Sequence, residues 1–173
     1  MNAFRIENFS FSYPQGSRAA LSNINLTVTA GSFVLLCGLS GSGKSTLLRQ
    51  LKPALAPAGT KTGEIYFFDK PLGELAPIEQ AARIGFVLQD IESQIVTDKV
   101  WHELAFGLES LGTDNTTIRL RVAETAGFFG LQGIFEQNTA ELSGGQKQLL
   151  NLASVMVTEP EVLILDEPCA QLD

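Results

Sequence analysis

The stretch GLSGSGKST, residues 38–46, decides how the rest of the chain reads. It fits G-x-x-x-x-G-K-[ST] and lies between an apolar run, SFVLLC at 32–37, and the segment KSTLLRQLK. A run apolar at every position predicts a strand covered on both faces. The segment after it predicts a short helix that Pro53 must end. Gly38, Gly41 and Gly43, with Ser40 and Ser42 between them, let backbone N–H groups turn together toward a phosphate chain. The helix start adds partial positive charge. Lys44 supplies a point charge for the terminal phosphates, and Ser45, followed by Thr46, offers a hydroxyl to Mg²⁺. With strand and helix on either side, residues 38–46 read as a nucleotide site.

Bulk properties agree with that reading and exclude others. A chain of 173 residues fits one domain and can bury ~70% of its unfolded surface. Formal charge is −7, so no basic excess exists to release counterions, and no nucleic-acid partner is expected. The two cysteines, Cys37 and Cys169, do not suggest a secreted disulfide framework. No stretch approaches the ~20 apolar residues of a membrane span, and MNAFRIENF lacks the apolar core of a signal peptide. These features predict a cytosolic, soluble chain.

Outward from the loop, 4–6 and then Phe9, Phe11 and Tyr13 alternate with polar residues, as do 22–29, with Ala30-Gly31 as a turn. Residues 63–69, 84–88 and 162–165 read as further strands. From Thr97, a plausible N-cap, the period is helical, with Val100, Leu104, Leu108 and Leu111 on one face. Helices are also expected over 117–126 and from Ser143. No internal repeat or low-complexity segment is evident.

Two more pieces carry chemistry. VLILDEP ends a buried strand on Asp166 and Glu167, which places them at the carboxyl edge of a parallel sheet, where ligands of open α/β folds bind. There Asp166 suits Mg²⁺ through a water, and Glu167 can orient or deprotonate the water that attacks a γ-phosphate. LSGGQ, 142–146, opens a helix with Ser143 at N-cap and Gln146 at N3, the spacing of a capping box. Gly144 and Gly145 each cost such a helix ~1 kcal/mol against alanine, which makes sense where a ligand approaches the backbone closely.

GLSGSGKST, LSGGQ and VLILDEP in that order resemble the nucleotide-binding domain of ABC ATPases, and the resemblance covers the whole chain. It implies an α/β P-loop NTPase fold: a RecA-like parallel-sheet core, N-terminal antiparallel strands and an inserted helical subdomain. One incomplete domain would then comprise an ATP-binding core, 1–96 and 154–173, and a helical subdomain, 97–153. The cofactors implied are ATP and Mg²⁺. The nucleotide-binding set is Tyr13, Gly38, Ser40, Gly41, Ser42, Gly43, Lys44, Ser45 and Thr46, with Ser143, Gly144, Gly145 and Gln146 serving the ATP of an opposite domain. Gln89 resembles the family's Q-loop glutamine, so catalysis falls to Glu167 and Gln89, and metal contact to Ser45, Gln89 and Asp166. Tyr13 could be core together with Phe9 and Phe11; a strand-end aromatic can also leave the core, and the resemblance implies that it stacks on adenine. Asp173 matches the D-loop aspartate, with Cys169 and Gln171 structural. The partner implied is a second ABC ATPase domain, in a homodimer or heterodimer or fused in the same chain.

The family's switch histidine lies beyond a D-loop. His102, beside Trp101 in the helical segment, cannot stand in for it and reads as a helix-surface residue. The chain therefore reads as C-terminally truncated after the D-loop, binding ATP weakly and hydrolysing it near background on its own. QDIESQIVTDKVWHELAFGLE, 89–109, is similar to the segment of energy-coupling-factor importer ATPases, with Gln94, Val100, Glu103, Ala105, Phe106, Gly107, Leu108 and Glu109 matching. That similarity implies vitamin or cobalt/nickel uptake at the cytoplasmic face of the cell membrane. A transmembrane coupling subunit would dock near residues 94–109, with Glu92 and Glu103 flanking the groove. KPALAPAGTKTGEI, 52–65, more loosely resembles members carrying two ATPase domains. Two other classes stand beside this one: a non-transport ABC ATPase such as a translation factor, and a nucleotide-dependent dimerisation module without turnover.

Overall fold

The computed structural model describes residues 1–14, 16 and 18–168. They fall into two compact units, Met1–Gln80 and Ala81–Asp173.

The first unit is built on an antiparallel sheet of β1 (Asn2–Ser12), β2 (Leu21–Thr29), β3 (Thr60–Phe67) and β4 (Lys70–Pro71), in the order β2-β1-β3-β4. Strict alternation along β1 would bury Phe4 and Ile6 but turn Phe9 and Phe11 outward. A bulge resolves this: the register with β2 shifts between Ile6 and Phe9, and Asn8 takes φ 48°, a left-handed conformation that asparagine tolerates. All four side chains are consequently buried on one face. Opposite the bulge, Gly63 has φ 79°, and a Cβ there would lie 2.4 Å from the Asn8 carbonyl oxygen, so only glycine fits. Phe4 packs against Phe67 with ring centroids 5.2 Å apart.

Helix α1 (Lys44–Gln50) buries Leu47, and a 3₁₀ turn, Pro53–Leu55, follows once Pro53 has removed a backbone donor. The run 32–37 departs from expectation, for it is not a strand. Phe33 is 89% exposed and Leu35 74%, and Cys37 is an exposed free thiol. A strand exists only through its ladder. Among the described residues the antiparallel sheet ends at β2 and β4 and offers this run no pairing.

A short helix, α2 (Pro77–Arg83), leads into the second unit, where β5 (Ile84–Val87) pairs in parallel with β6 (Val162–Leu165), Ile84 opposite Val162 and Val87 opposite Leu165. Between these strands lie α3 (Val100–Ser110), α4 (Asn115–Phe128) and α5 (Gly144–Met156). Leu104, Leu108, Val122, Leu131, Leu150 and Val157 form their common core. Gly85 permits α5 to lie close, because a Cβ there would meet Val155 Cγ1 at 2.7 Å and Pro160 Cγ at 2.8 Å.

Helix α4 runs slightly longer than the expected 117–126, since Asp114 accepts from the N–H groups of Thr116 and Thr117, both at 3.0 Å. Ser143 caps α5 as expected, with both hydrogen bonds of the capping box formed. Thr97 is not the N-cap of α3. That position belongs to Lys99 and has no side-chain cap. The Thr97 hydroxyl instead donates to the Lys99 carbonyl, and Glu103 reaches back from the helix to accept from the N–H groups of Val96 and Thr97.

Candidate nucleotide and carboxylate sites

In the first unit, Gly41 and Gly43 have φ 77° and 92°, so the chain turns twice through backbone space that side chains disfavour before α1 begins. At Gly43 the constraint is also steric, since a Cβ would lie 2.8 Å from the Ala20 carbonyl oxygen. Lys44 folds its ammonium back over the loop, donating to the carbonyls of Gly38 (2.9 Å) and Leu39 (3.0 Å). Residues 38–42 are exposed, and Ser45 and Thr46 are half-buried in the first turn of α1. Tyr13 leaves the core. Just past β1 it is 42% exposed, its ring edge-on to buried Phe11 at 4.9 Å and its hydroxyl 3.0 Å from Thr46 Oγ1. The aromatic ring is thus tethered to the glycine loop and keeps an open face.

In the second unit, β6 is followed at once by Asp166, 1% exposed, whose N–H donates to the Val87 carbonyl and prolongs the pairing with β5 by one residue. Glu167 then takes φ 52°, a strained conformation for a residue with a side chain, and turns its carboxylate outward. Gln89, just past β5, donates from Nε2 to Glu167 Oε2 at 2.7 Å. Sequence-distant Gln89 and Glu167 are therefore in direct contact, because parallel β5 and β6 finish side by side. At the other end of this unit, Ser143 and Gly144 are exposed at the start of α5, with Gln146 folded back onto the Ser143 N–H at 2.8 Å.

Two residues expected to face a partner serve the fold instead. Glu103 is 4% exposed and holds the 96–97 backbone, since a carboxylate accepting two N–H groups can be buried where a lone one cannot. Gln94 brackets the end of β5, accepting from Leu88 N–H and donating to the Phe86 carbonyl. Glu92 pairs with Lys147 at 2.5 Å, a contact the sequence did not disclose because the two residues stand 55 positions apart in different elements. His102 stays on the surface, stacked on Trp101 at 5.1 Å. Asp173, Cys169 and Gln171 lie outside the described residues. No helix among the described residues is long and apolar enough to cross a membrane.

Comparison with known proteins places this geometry. The family described as ABC transporter matches residues 21–170. The nickel import ATP-binding protein NikO of Rhodobacter capsulatus is 41% identical over 99% of the chain and 68% of its own length. The energy-coupling factor transporter ATP-binding protein EcfA1 of Lacticaseibacillus paracasei is 33% identical over 99% of the chain and 61% of its own. A putative ABC transporter ATP-binding protein of Bacillus cereus is 47% identical over 97% of the chain, which spans only 30% of that relative's length. Among solved structures, cbiO1 of Clostridium perfringens, part of the ABC transporter complex cbiONQ, superposes with TM-score 0.85 at 32% identity, covering 99% of this chain and 68% of that one. The chain belongs to the ABC transporter family, as an ATPase domain with the P-loop NTPase fold.

Proposed function

We propose that the chain binds and hydrolyses MgATP to power import by a membrane transporter of the energy-coupling-factor type, taking up a vitamin or cobalt or nickel ions. The observation that carries the nucleotide reading is the folded glycine loop with Lys44 drawn over Gly38 and Leu39 and Tyr13 tethered to Thr46. In this reading the loop N–H groups of 38–46 and Lys44 hold the phosphates, and Tyr13 stacks on the base. Lys44 would exchange two neutral carbonyls for anionic oxygens, which is favourable because charge-assisted bonds are stronger.

The metal reading rests on donor chemistry alone: Ser45 in the first unit offers a hydroxyl, and Gln89 and Asp166 in the second offer an amide and a carboxylate, oxygens of the kind Mg²⁺ prefers beside phosphate and water. Mg²⁺ would neutralise charge on the phosphates. Glu167 orients the attacking water and Gln89 holds Glu167 in place, as their contact supports. Ser143, Gly144, Gly145 and Gln146 would meet the γ-phosphate of a second ATPase domain, a proposal supported by the exposed start of α5. A related ATP-binding cassette, 27% identical with TM-score 0.83 over 98% of this chain and 76% of that one, was solved as a dimer bound to ADP and Pi.

Import is supported by the likeness to the nickel import protein NikO, and the energy-coupling-factor type by the likeness to EcfA1. Exposed Val96, Trp101 and Phe106 keep the region 94–109 a candidate contact for a transmembrane coupling subunit at the cytoplasmic membrane face, without Glu103. ATP with Mg²⁺ should raise the melting temperature, because a ligand that binds only the native state stabilises it by mass action. Lys44→Ala should remove most of that rise. An equal rise in the variant would count against the assignment.

A further inference from the structure

The segment between β5 and α3 contains no helix or strand, yet it is fastened along its whole length. At its start Gln89 holds Glu167. At its end the Thr139 hydroxyl donates to the Thr97 carbonyl at 2.7 Å and the Thr139 N–H to the Asp98 carbonyl at 3.0 Å. Thr139 precedes Ser143 by one short turn, so this end is fixed to the approach of LSGGQ. Beside the bonds of Gln94 and Glu103 already described, one more fastening comes from the far side of LSGGQ. Lys147, the residue after Gln146, extends from the first turns of α5 to Glu92. Its side chain is only 16% exposed, whereas Glu92 is 68% exposed.

We propose that Glu92 and Lys147 are a positioning pair that fixes the γ-phosphate-facing start of α5 relative to the loop carrying Gln89. The inference rests on the ATPase reading above. An ion pair with one partner mostly in solvent adds little to stability. What it does add is geometry. The buried face of α5, with Leu150 and Ala153, sets where the helix lies, Thr139 holds the chain before its N-cap, and Lys147 ties its first turns to the loop itself. Catalysis is sensitive to how the helix start is held, because small misplacements of a positioning group reduce rate steeply. Neither residue touches the nucleotide in this scheme.

The test uses the intact protein in its assembled, hydrolysing form, measuring kcat, KM for ATP, nucleotide affinity and melting temperature. Glu92→Lys and Lys147→Glu should each lower kcat by about tenfold, while ATP affinity stays within about twofold. Combining the two exchanges should recover most of the lost kcat. The milder Glu92→Gln should give a smaller kcat loss at an unchanged melting temperature, which a purely structural role would not produce. Wild-type kcat in both single variants, failure of the exchange to restore it, or loss of ATP affinity in step with kcat would overturn the proposal. Absence of Lys44-dependent turnover in the unaltered protein in its assembled form would instead overturn the ATPase reading itself, and this inference with it.

Discussion

Glu103 shows how much a single buried carboxylate can organise. Its Oε2 accepts from Val96 N–H at 3.1 Å and Thr97 N–H at 2.8 Å, joining α3 to the loop before it. Hydrogen bonds to a charged acceptor are worth ~1.5–3 kcal/mol each, and unmet donors add a desolvation cost where they are buried. Glu103→Ala should therefore destabilise the second unit by about 2 kcal/mol, and Glu103→Gln, which keeps an acceptor but loses the charge, by less. Urea unfolding checks this, and a Glu103→Ala midpoint equal to the wild type would show that the carboxylate holds nothing. Charge reversal at Glu103 would consequently report on folding rather than on docking of a partner.

Among the elements, α4 and α5 start in different ways, and pH separates them. Asp114 caps α4, and its carboxyl is held below the usual carboxylate range by the Thr117 hydroxyl first, then by the Thr117 and Thr116 N–H groups. Because the folded value lies below the unfolded one, the stabilisation is complete above the ordinary carboxylate range and is lost as pH falls through the folded value. Asp114→Ala should thus be less stable than wild type near neutrality, with the gap closing on acidification; a gap independent of pH would contradict the cap. Ser143→Ala should cost α5 about 1 kcal/mol with no such closure, since a hydroxyl does not titrate in this range. Both caps connect residues two or three apart. That is why Ser143 was legible in the sequence, and why Glu167 could be placed at the end of β6. The Asp114 cap was missed although it is equally local, and the other missed features depend on how the elements pack. Thr97 lost its capping role to an extended Lys99 and to Glu103, whose burial no periodicity reveals, and the pairing of Glu92 with Lys147 bridges 55 residues. That Tyr13 leaves the core goes with a hydrogen bond to a residue in a different element, which no local pattern announces.

For the molecule as a whole, exposed apolar side chains are scattered over both units but crowd together in one run. In the second unit, α3, α4 and α5 with their flanking segments bury a continuous core, and Val96, Phe106 and Phe128 stay exposed singly. In the first, Phe33, Val34, Leu35, Leu36 and Leu39 remain 38–89% exposed in a run without a charged residue, directly before the nucleotide loop. Burying one such side chain fully contributes about 1.5–3 kcal/mol, so their joint exposure leaves a strong drive to association. Unpaired backbone in an uncharged, β-prone run is also a template for pairing with another chain. The 173-residue chain by itself should therefore self-associate, with light scattering showing an apparent mass that climbs with concentration. Replacing Phe33 and Leu35 together (Phe33→Ser with Leu35→Lys) should shift it toward monomer without lowering the urea midpoint of the second unit. The same run positions residues 38–46, so its lack of support should also leave MgATP binding weak and Lys44-dependent phosphate release near background in the chain alone. A monomeric chain at high concentration with robust Lys44-dependent turnover would show that the exposed run costs neither solubility nor function.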